Sequence, residues 1–274
     1  MFINCKGNLI DLSKPKVMGI INITPDSFFS GSRSVSEKEI LMASEKMLNE
    51  GADFLDLGAY SSRPGADDIS AEEELKRMLP SIESILKNFP KAIISIDTFR
   101  AKVAEKSLEA GAAMINDISA GKLDENMMKT IAQYQVPYIM MHMKGTPQNM
   151  KDLNQYHDLL GDILFYFSER IKAAREHGIN DLIIDPGFGF AKNIEQNYEL
   201  LSKLELFKNL ELPLLAGISR KSMIWKKLGI TPEEALNGTT VLNSIALTKG
   251  ANILRVHDVR ESVESIKLTR ELIN

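Results

Sequence analysis

The sequence predicts an α/β fold: a (β/α)₈ TIM barrel preceded by a short N-terminal β-hairpin, as one domain spanning residues 1–274. Three observations carry this. Short apolar, β-branched runs recur along the whole chain, as do strands buried on both faces of a parallel sheet. Longer amphipathic stretches separate them, with apolar residues at three- and four-residue steps, as in helices that cover such a sheet. The runs number eight in 274 residues, and eight βα units in roughly 250 residues favour a closed barrel over an open doubly wound sheet.

The elements follow in order. FINC (2–5) and LIDL (9–12) flank Lys6-Gly7-Asn8. This reads as a hairpin, placed to cap the bottom of the barrel. The strands are VMGIINIT (17–24), DFLDLGA (53–59), AIISIDT (92–98), AMINDIS (113–119), PYIMMHM (137–143), LIIDPG (182–187), PLLAGIS (213–219) and NILRVHD (252–258). Each is followed by a helix, of which SEKEILMASEKMLNEG (36–51) and DLLGDILFYFSERIKAAREHG (158–178) are the clearest. Gly51, Gly111 and Gly178 suit helix C-caps, and Asp258 suits the N-cap of the last helix. No internal repeat, low-complexity linker or second domain is visible.

Composition narrows the class. Hydrophobic residues make up 44% and charged residues 26%, which supports a large core. The net charge of −4 offers no basic field to recruit nucleic acid or an acidic membrane. The single cysteine, Cys5, can form neither an intrachain disulfide nor a cysteine zinc site, and reads as a small apolar residue in a strand. The opening residues lack the basic start and apolar stretch of a signal peptide. No apolar run approaches the ~20 residues of a membrane span. A reducing cytoplasm is the expected compartment.

The functional signal lies at the strand ends, because barrels of this kind carry their active sites on the C-terminal face. Asn22 ends the first strand, Asp56 the second, Asp97 the third, and Asn116 with Asp117 the fourth. His142 ends the fifth and Asp185 the sixth. Ser219, Arg220 and Lys221 follow the seventh, and Arg255, His257 and Asp258 close the eighth. One polar strand end is readily explained as a cap or a loop tether. Eight out of eight is costly to bury unless the groups bond one another or a ligand. Arg255 and His257, two residues apart, face the same way. With Asn22 they could hold a diphosphate and a divalent metal such as Mg²⁺, which is usually bound by few protein oxygens together with substrate phosphates. Asp97, Asn116 and Asp185 offer acceptors suited to an N–H-rich ring. Two neighbouring acids also suit a general acid–base pair, and spacing leaves both roles open.

Three loops add to this. NITPDSFFSGSR (22–33) is long enough to serve as a lid over the mouth. YSSRPG (60–65) sets Arg63 beside a turn-forming Pro-Gly pair. GISRKS (217–222) brings serines and basic residues to a helix N-terminus, a natural anion site.

At these residues the chain closely resembles the dihydropteroate synthase family of folate biosynthesis. The resemblance is carried by MGIINITPDSF (18–28), GAYSSRPGA (58–66), SIDT (95–98), INDI (115–118), MMHMKGTPQNM (140–150), DPGFGFAK (185–192), GISRKS (217–222) and RVHDV (255–259). They run in the family's order over nearly the whole chain, and DPGFGFAK, SRKS and MHMKGTPQNM together are highly specific. The resemblance implies a transferase that joins 6-hydroxymethyl-7,8-dihydropterin diphosphate to p-aminobenzoate with Mg²⁺, giving 7,8-dihydropteroate and diphosphate. By matching position, it implies that Asp97, Asn116, Asp185 and Lys221 bind the pterin ring, with Ile118, Met140, Phe190 and the Arg255 side chain enclosing its faces. Asn22 would bind Mg²⁺, and Asn22, Arg255 and His257 would hold the diphosphate. Ser62, Pro64, Phe190, Lys221 and Ser222 would form the p-aminobenzoate site, with Arg63 and the first loop closing over it. It also implies a sulfonamide target and a homodimer, for which apolar faces on the later helices would serve.

The chain departs from the family pattern in the first loop, where Phe29, Ser30 and Ser32 replace Ser, Asp and Gly, and in the second, where YSSRPG stands for the common ESTRPG. Asp26 and Arg63 remain. The rival readings are a pterin-binding methyltransferase domain and a non-catalytic pterin-binding homologue. Neither gives SRKS and RVHDV a diphosphate to hold.

Overall fold

The computed structural model describes residues 1–23, 37–60 and 69–273. The chain opens with β1 (Phe2–Cys5) and β2 (Asn8–Asp11), paired antiparallel. Their tight turn needs left-handed backbone at two positions, taken by Lys6 (φ 51°) and Gly7 (φ 86°). This geometry matches the twist of a hairpin, and Gly7 N–H donates to Asn4 Oδ1 at 2.7 Å.

Eight parallel strands follow: β3 (Lys16–Asn22), β4 (Phe54–Gly58), β5 (Ile94–Asp97), β6 (Met114–Asp117), β7 (Tyr138–Met141), β8 (Leu182–Asp185), β9 (Leu215–Ala216) and β10 (Ile253–Val256). Neighbours in the sheet run β8-β7-β6-β5-β4-β3-β10-β9. The two ends meet where Ile184 N–H donates to Pro213 C=O at 3.0 Å and Ile184 bridges Leu214, so the sheet closes into the expected barrel. β9 is shorter than the seven-residue run PLLAGIS suggests. Pro213 lacks an N–H, and Gly217 begins the loop.

Helices α1 (Glu37–Glu50), α2 (Ala71–Asn88), α3 (Ala101–Glu109), α4 (Met127–Tyr134), α5 (Leu159–Glu176) and α6 (Ile194–Ser202) each follow a strand. The seventh unit carries two, α7 (Ser222–Leu228) and α8 (Leu236–Thr248), and α9 (Val259–Ile273) ends the chain. Gly51, Gly111 and Gly178 follow α1, α3 and α5 with φ of 101°, 115° and 82°, the left-handed backbone that stops a helix. Asp258 stands at the N-cap position expected of it: α9 starts at Val259, and the Asp258 C=O accepts from Ser262 N–H at 3.3 Å. Both its carboxylate oxygens accept from Arg220, at 2.7 and 2.9 Å, a charged bidentate pair.

Strand alternation sorts the apolar strand residues into an inner set and a set facing the helices. Met18, Phe54, Met114, Ile139, Ile183, Leu215 and Ile253 form the inner set, packed with Ile3 and Cys5 of the hairpin and with Leu12. The hairpin therefore caps the bottom, and Cys5, 1% exposed, is part of the plug. Burial pushes its thiol up to about 12. The alternate residues, among them Val17, Leu55, Leu57, Ile96, Ile115 and Leu254, face the helices in the main core.

Candidate active site

Two residues further along, the inner layer turns polar on five of the eight strands. Above Phe54 stands Asp56; above Met114, Asn116; above Ile183, Asp185; above Ile253, Arg255; and above Ser95, Asp97. Side chains two apart on a strand share a face, so the polar strand ends converge where the barrel opens.

Arg255 organises one side. Its Nε donates to Asp56 Oδ2 at 2.6 Å and its Nη2 to Asp97 Oδ2 at 2.7 Å. Asn116 Nδ2 donates to the same Asp56 oxygen at 3.1 Å. Burial pushes the Asp97 carboxyl up to about 7, the Arg255 charge opposes this, and Asp56 adds to it. Burial works against the Arg255 charge, but Asp56 and Asp97 outweigh it and hold the guanidinium above its ordinary range. Asp56 Oδ1 is buried without a partner among the described residues. Such a group is rare in a core and points to a site that a ligand or ordered water completes.

Asp185 and Lys221 form the adjoining side, near Gly217. Gly187 N–H donates to Asp185 Oδ1 at 2.8 Å. Burial raises the Asp185 carboxyl, and Lys221, the Gly187 amide, Arg255 and Lys192 pull it back. Lys221 precedes α7, donates to Phe188 C=O and holds Nζ 4.8 Å from the centre of the Phe190 ring. Burial brings its ammonium down to about 8, against the pull of Asp185. Ser222 opens α7 beside it. His257 Nδ1 lies 3.0 Å from Ser219 Oγ, and Asn22 ends β3 opposite Gly58. Two cations, Lys221 and Arg255, with the His257 imidazole form one arc, and an acceptor-lined arc (Asp97, Asn116, Asp185) shares the same mouth.

The structure corrects the sequence reading in four places. Met140 does not line the mouth: it is fully buried among residues that face the helices. Met141, of the opposite parity and in register with Asp185, joins Ile118, Met143 and Phe190 on the mouth side. Asp117 also turns outward, accepting from Tyr138 Oη (2.6 Å), Gly121 N–H (2.7 Å) and Ser119 (2.7 Å from both N–H and Oγ). His142 is 2% exposed and faces Lys192 rather than the opening. Arg220 leaves the anion site to Lys221, since its guanidinium engages Asp258 and the carbonyls of Pro232 and Glu233. Strand parity alone would have found Met141. Asp56 as partner of Arg255, and Lys192, have no comparable signal in the sequence.

Ser62, Arg63 and Pro64 lie outside the described residues, as do Asp26, Phe29, Ser30 and Ser32. Among the described residues no group of three or more His, Cys, Asp or Glu side chains could hold a metal ion, and no helix is long and apolar enough to cross a membrane. A separate cavity of about 340 Å³ lies beside Ser119, His142, Lys144 and Tyr166.

The family model of pterin binding enzymes matches residues 18–257. Dihydropteroate synthase of Escherichia coli is 41% identical over 271 residues, 98% of this chain and 95% of that one. The Yersinia pestis dihydropteroate synthase, solved in a sulfonamide drug complex, superposes with a TM-score of 0.93 at 40% identity, covering 99% of this chain and 98% of that one. The Xanthomonas albilineans dihydropteroate synthase, solved with 4-aminobenzoic acid, gives 0.92 at 37% identity, over 99% and 97%. With this agreement in sequence, barrel and strand-end chemistry, the chain belongs to the dihydropteroate synthases, within the pterin binding enzyme family.

Proposed function

We propose that the chain, as one barrel domain over residues 1–274, joins 6-hydroxymethyl-7,8-dihydropterin diphosphate to p-aminobenzoate, releasing 7,8-dihydropteroate and diphosphate. The observation that carries this reading is the meeting of the two arcs at Arg255. Its guanidinium is bonded to Asp56 and Asp97 within a mouth that also holds Lys221 and His257. The Xanthomonas albilineans relative solved with 4-aminobenzoic acid supports the second substrate.

In this reading Asp97, Asn116 and Asp185 accept from the N–H groups of the pterin, and Lys221 donates to it. Ile118, Phe190, the Arg255 side chain and Met141, in place of Met140, enclose its faces. Asn22, Arg255 and His257 hold the diphosphate. Ser62, Pro64, Phe190, Lys221 and Ser222 form the p-aminobenzoate site, with Arg63 and the first loop closing it. Asn22 offers one neutral oxygen, which suits Mg²⁺ held mainly by the phosphates of the substrate. Mg²⁺ bound there would neutralise charge on the leaving group.

The reaction is a dissociative substitution. The bond from the pterin methylene to the diphosphate oxygen breaks, and its electron pair leaves on the diphosphate. Arg255 and His257 stabilise that charge, and the nearby carboxylates stabilise the cation left on the methylene. The amine of p-aminobenzoate, neutral at pH 7, forms the new C–N bond and sheds its proton to solvent, so Asp97 and Asp185 act as binders. Diphosphate release that requires both substrates tests the assignment. Tight binding of a reduced pterin without release would favour a non-catalytic homologue or a methyltransferase domain. A steep basic limb in the pH–rate profile, assigned to either aspartate, would count against the binder role.

The later helices expose Leu228, Val241, Ile245, Leu268 and Leu272, apolar area suited to a homodimer interface, which sedimentation of the wild type and a Val241→Glu variant would test. Its expected setting is the cytoplasm, with small-molecule substrates and neither nucleic acid nor membrane as partner.

A further inference from the structure

Lys192 is buried beside the mouth, and the proposed chemistry does not use it. Its Nζ lies 3.0 Å from each of three acceptors: Gly187 C=O, Phe190 C=O and His142 Nδ1. Burial brings its ammonium down to about 7, against the pull of Asp185; in the charged form its three protons match the three acceptors, one to each. His142 then accepts at Nδ1 as a neutral imidazole. Burial, with the Lys192 charge next, holds that ring down at about 2.

The segment Lys192 spans is costly to hold. Gly187, Gly189 and Ala191 have φ of 72°, 80° and 49°. A Cβ on Gly187 would lie 2.1 Å from the His142 carbonyl oxygen, so the loop is pressed against the β7 strand end. The left-handed backbone at Ala191, a residue with a Cβ, is disfavoured and must be held by its surroundings. The capping box of Asn193 and Gln196 anchors the loop's far end. Asp185 ends β8 where this loop begins, and Phe190 lies on the loop, its ring centre 4.8 Å from Lys221 Nζ. The contacts continue beyond His142, whose ring packs edge-on against Tyr166 at 4.8 Å. Tyr166 Oη donates to Met141 C=O at 3.0 Å and lies 3.1 Å from Ser119 C=O. Those carbonyls flank Ile118 and Met141.

We infer that Lys192 is a positioning residue for both substrates. Through its bonds to Gly187, Phe190 and His142 it fixes the β8–α6 loop against the β7 strand end, so that Asp185 and Phe190 are held in place before either substrate arrives. This rests on the functional reading above. The mechanism is preorganisation: groups held within a fraction of an ångström need no rearrangement on binding.

The test uses the full-length wild type, Lys192→Met and Lys192→Arg, with the two KM values, kcat, thermal midpoint and fluorescence titration of a reduced pterin. Lys192→Met is expected to raise the KM for both pterin diphosphate and p-aminobenzoate by roughly tenfold or more, as small misplacements do. Lys192→Arg should recover part of the loss. A lower thermal midpoint with both KM values unchanged would make Lys192 merely structural and overturn the inference. So would a rise in only one KM, since the loop carries groups for both substrates. If Lys192→Met does not fold, His142→Gln and His142→Leu replace it: Gln keeps an acceptor for the ammonium and should bind pterin more tightly than Leu, whereas equal affinities would overturn the inference. If the wild type releases no diphosphate, the functional reading fails, but pterin titration still decides the positioning role.

Discussion

The two ends of the barrel interior are built from the same strands and differ by one pleat. At the bottom the inner residues are Met18, Phe54, Met114, Ile139, Ile183, Leu215 and Ile253, sealed by the hairpin. At the mouth, two residues on, they include Asp56, Asp97, Asn116, Asp185 and Arg255. The bottom is stable because apolar area leaves water. The mouth is tolerable only because its charges are paired, and Asp56 Oδ1 remains unpaired among the described residues. One end stores stability and the other stores binding capacity.

Four substitutions can break or sharpen that contrast. Arg255→Met should have the largest effect. It leaves Asp56 and Asp97 facing each other without their cation, and should cost about 3–5 kcal/mol of stability. It should also lower kcat for diphosphate release by about 10²-fold or more. Folded protein with near-normal turnover would refute a diphosphate role for this side chain. Phe54→Ala, at the other end, should cost about 3–5 kcal/mol in denaturant unfolding and leave both KM values unchanged at a temperature where the variant is folded. A change in KM would mean that the plug and the mouth are coupled.

His142 supplies a smaller, pH-dependent effect. The native imidazole is held at about 2 by burial, with the Lys192 charge adding to it, while an unfolded histidine titrates near ~6.5. Between those values only the unfolded chain takes up the proton. The His142 contribution to stability therefore falls as pH drops through that window, by up to about 1.4 kcal/mol per pH unit, while the Asp97 carboxyl, held up at about 7, contributes in the opposite sense. His142→Gln should remove this contribution, so that between pH 6.5 and 5.5 in chemical denaturation the variant loses less stability on acidification than the wild type, and identical slopes would rule out a His142 contribution. Ser30→Asp should have the smallest effect, a few-fold change in KM for p-aminobenzoate with little change for the pterin. An unchanged KM would make the first-loop departure neutral.

Much of the fold was legible in the chain because its signals are local. Eight buried runs, the helical periodicities, the Lys6-Gly7 turn and the glycine stops each depend on near neighbours, and each was found in place. The errors were errors of direction. Met140 and Met141 are adjacent and chemically identical, and only the pleat decides which one faces the mouth. Asp117, His142 and Arg220 were read inward because they end strands or follow them, but each meets a partner on another element: Tyr138, Lys192 and Asp258.

By itself the sequence determined the barrel, the hairpin below it, the family and the two kinds of chemistry at the strand ends, since periodicity, turn residues and motifs are written over a few consecutive positions. Tertiary structure alone decided which polar groups pair. Arg255 meets Asp56 and Asp97 across 199 and 158 residues, and Lys192 meets His142 across 50. Such pairings arise only when the sheet closes and its register brings distant strand ends within hydrogen-bonding distance. Burial then strengthens each paired charge and makes each unpaired one costly.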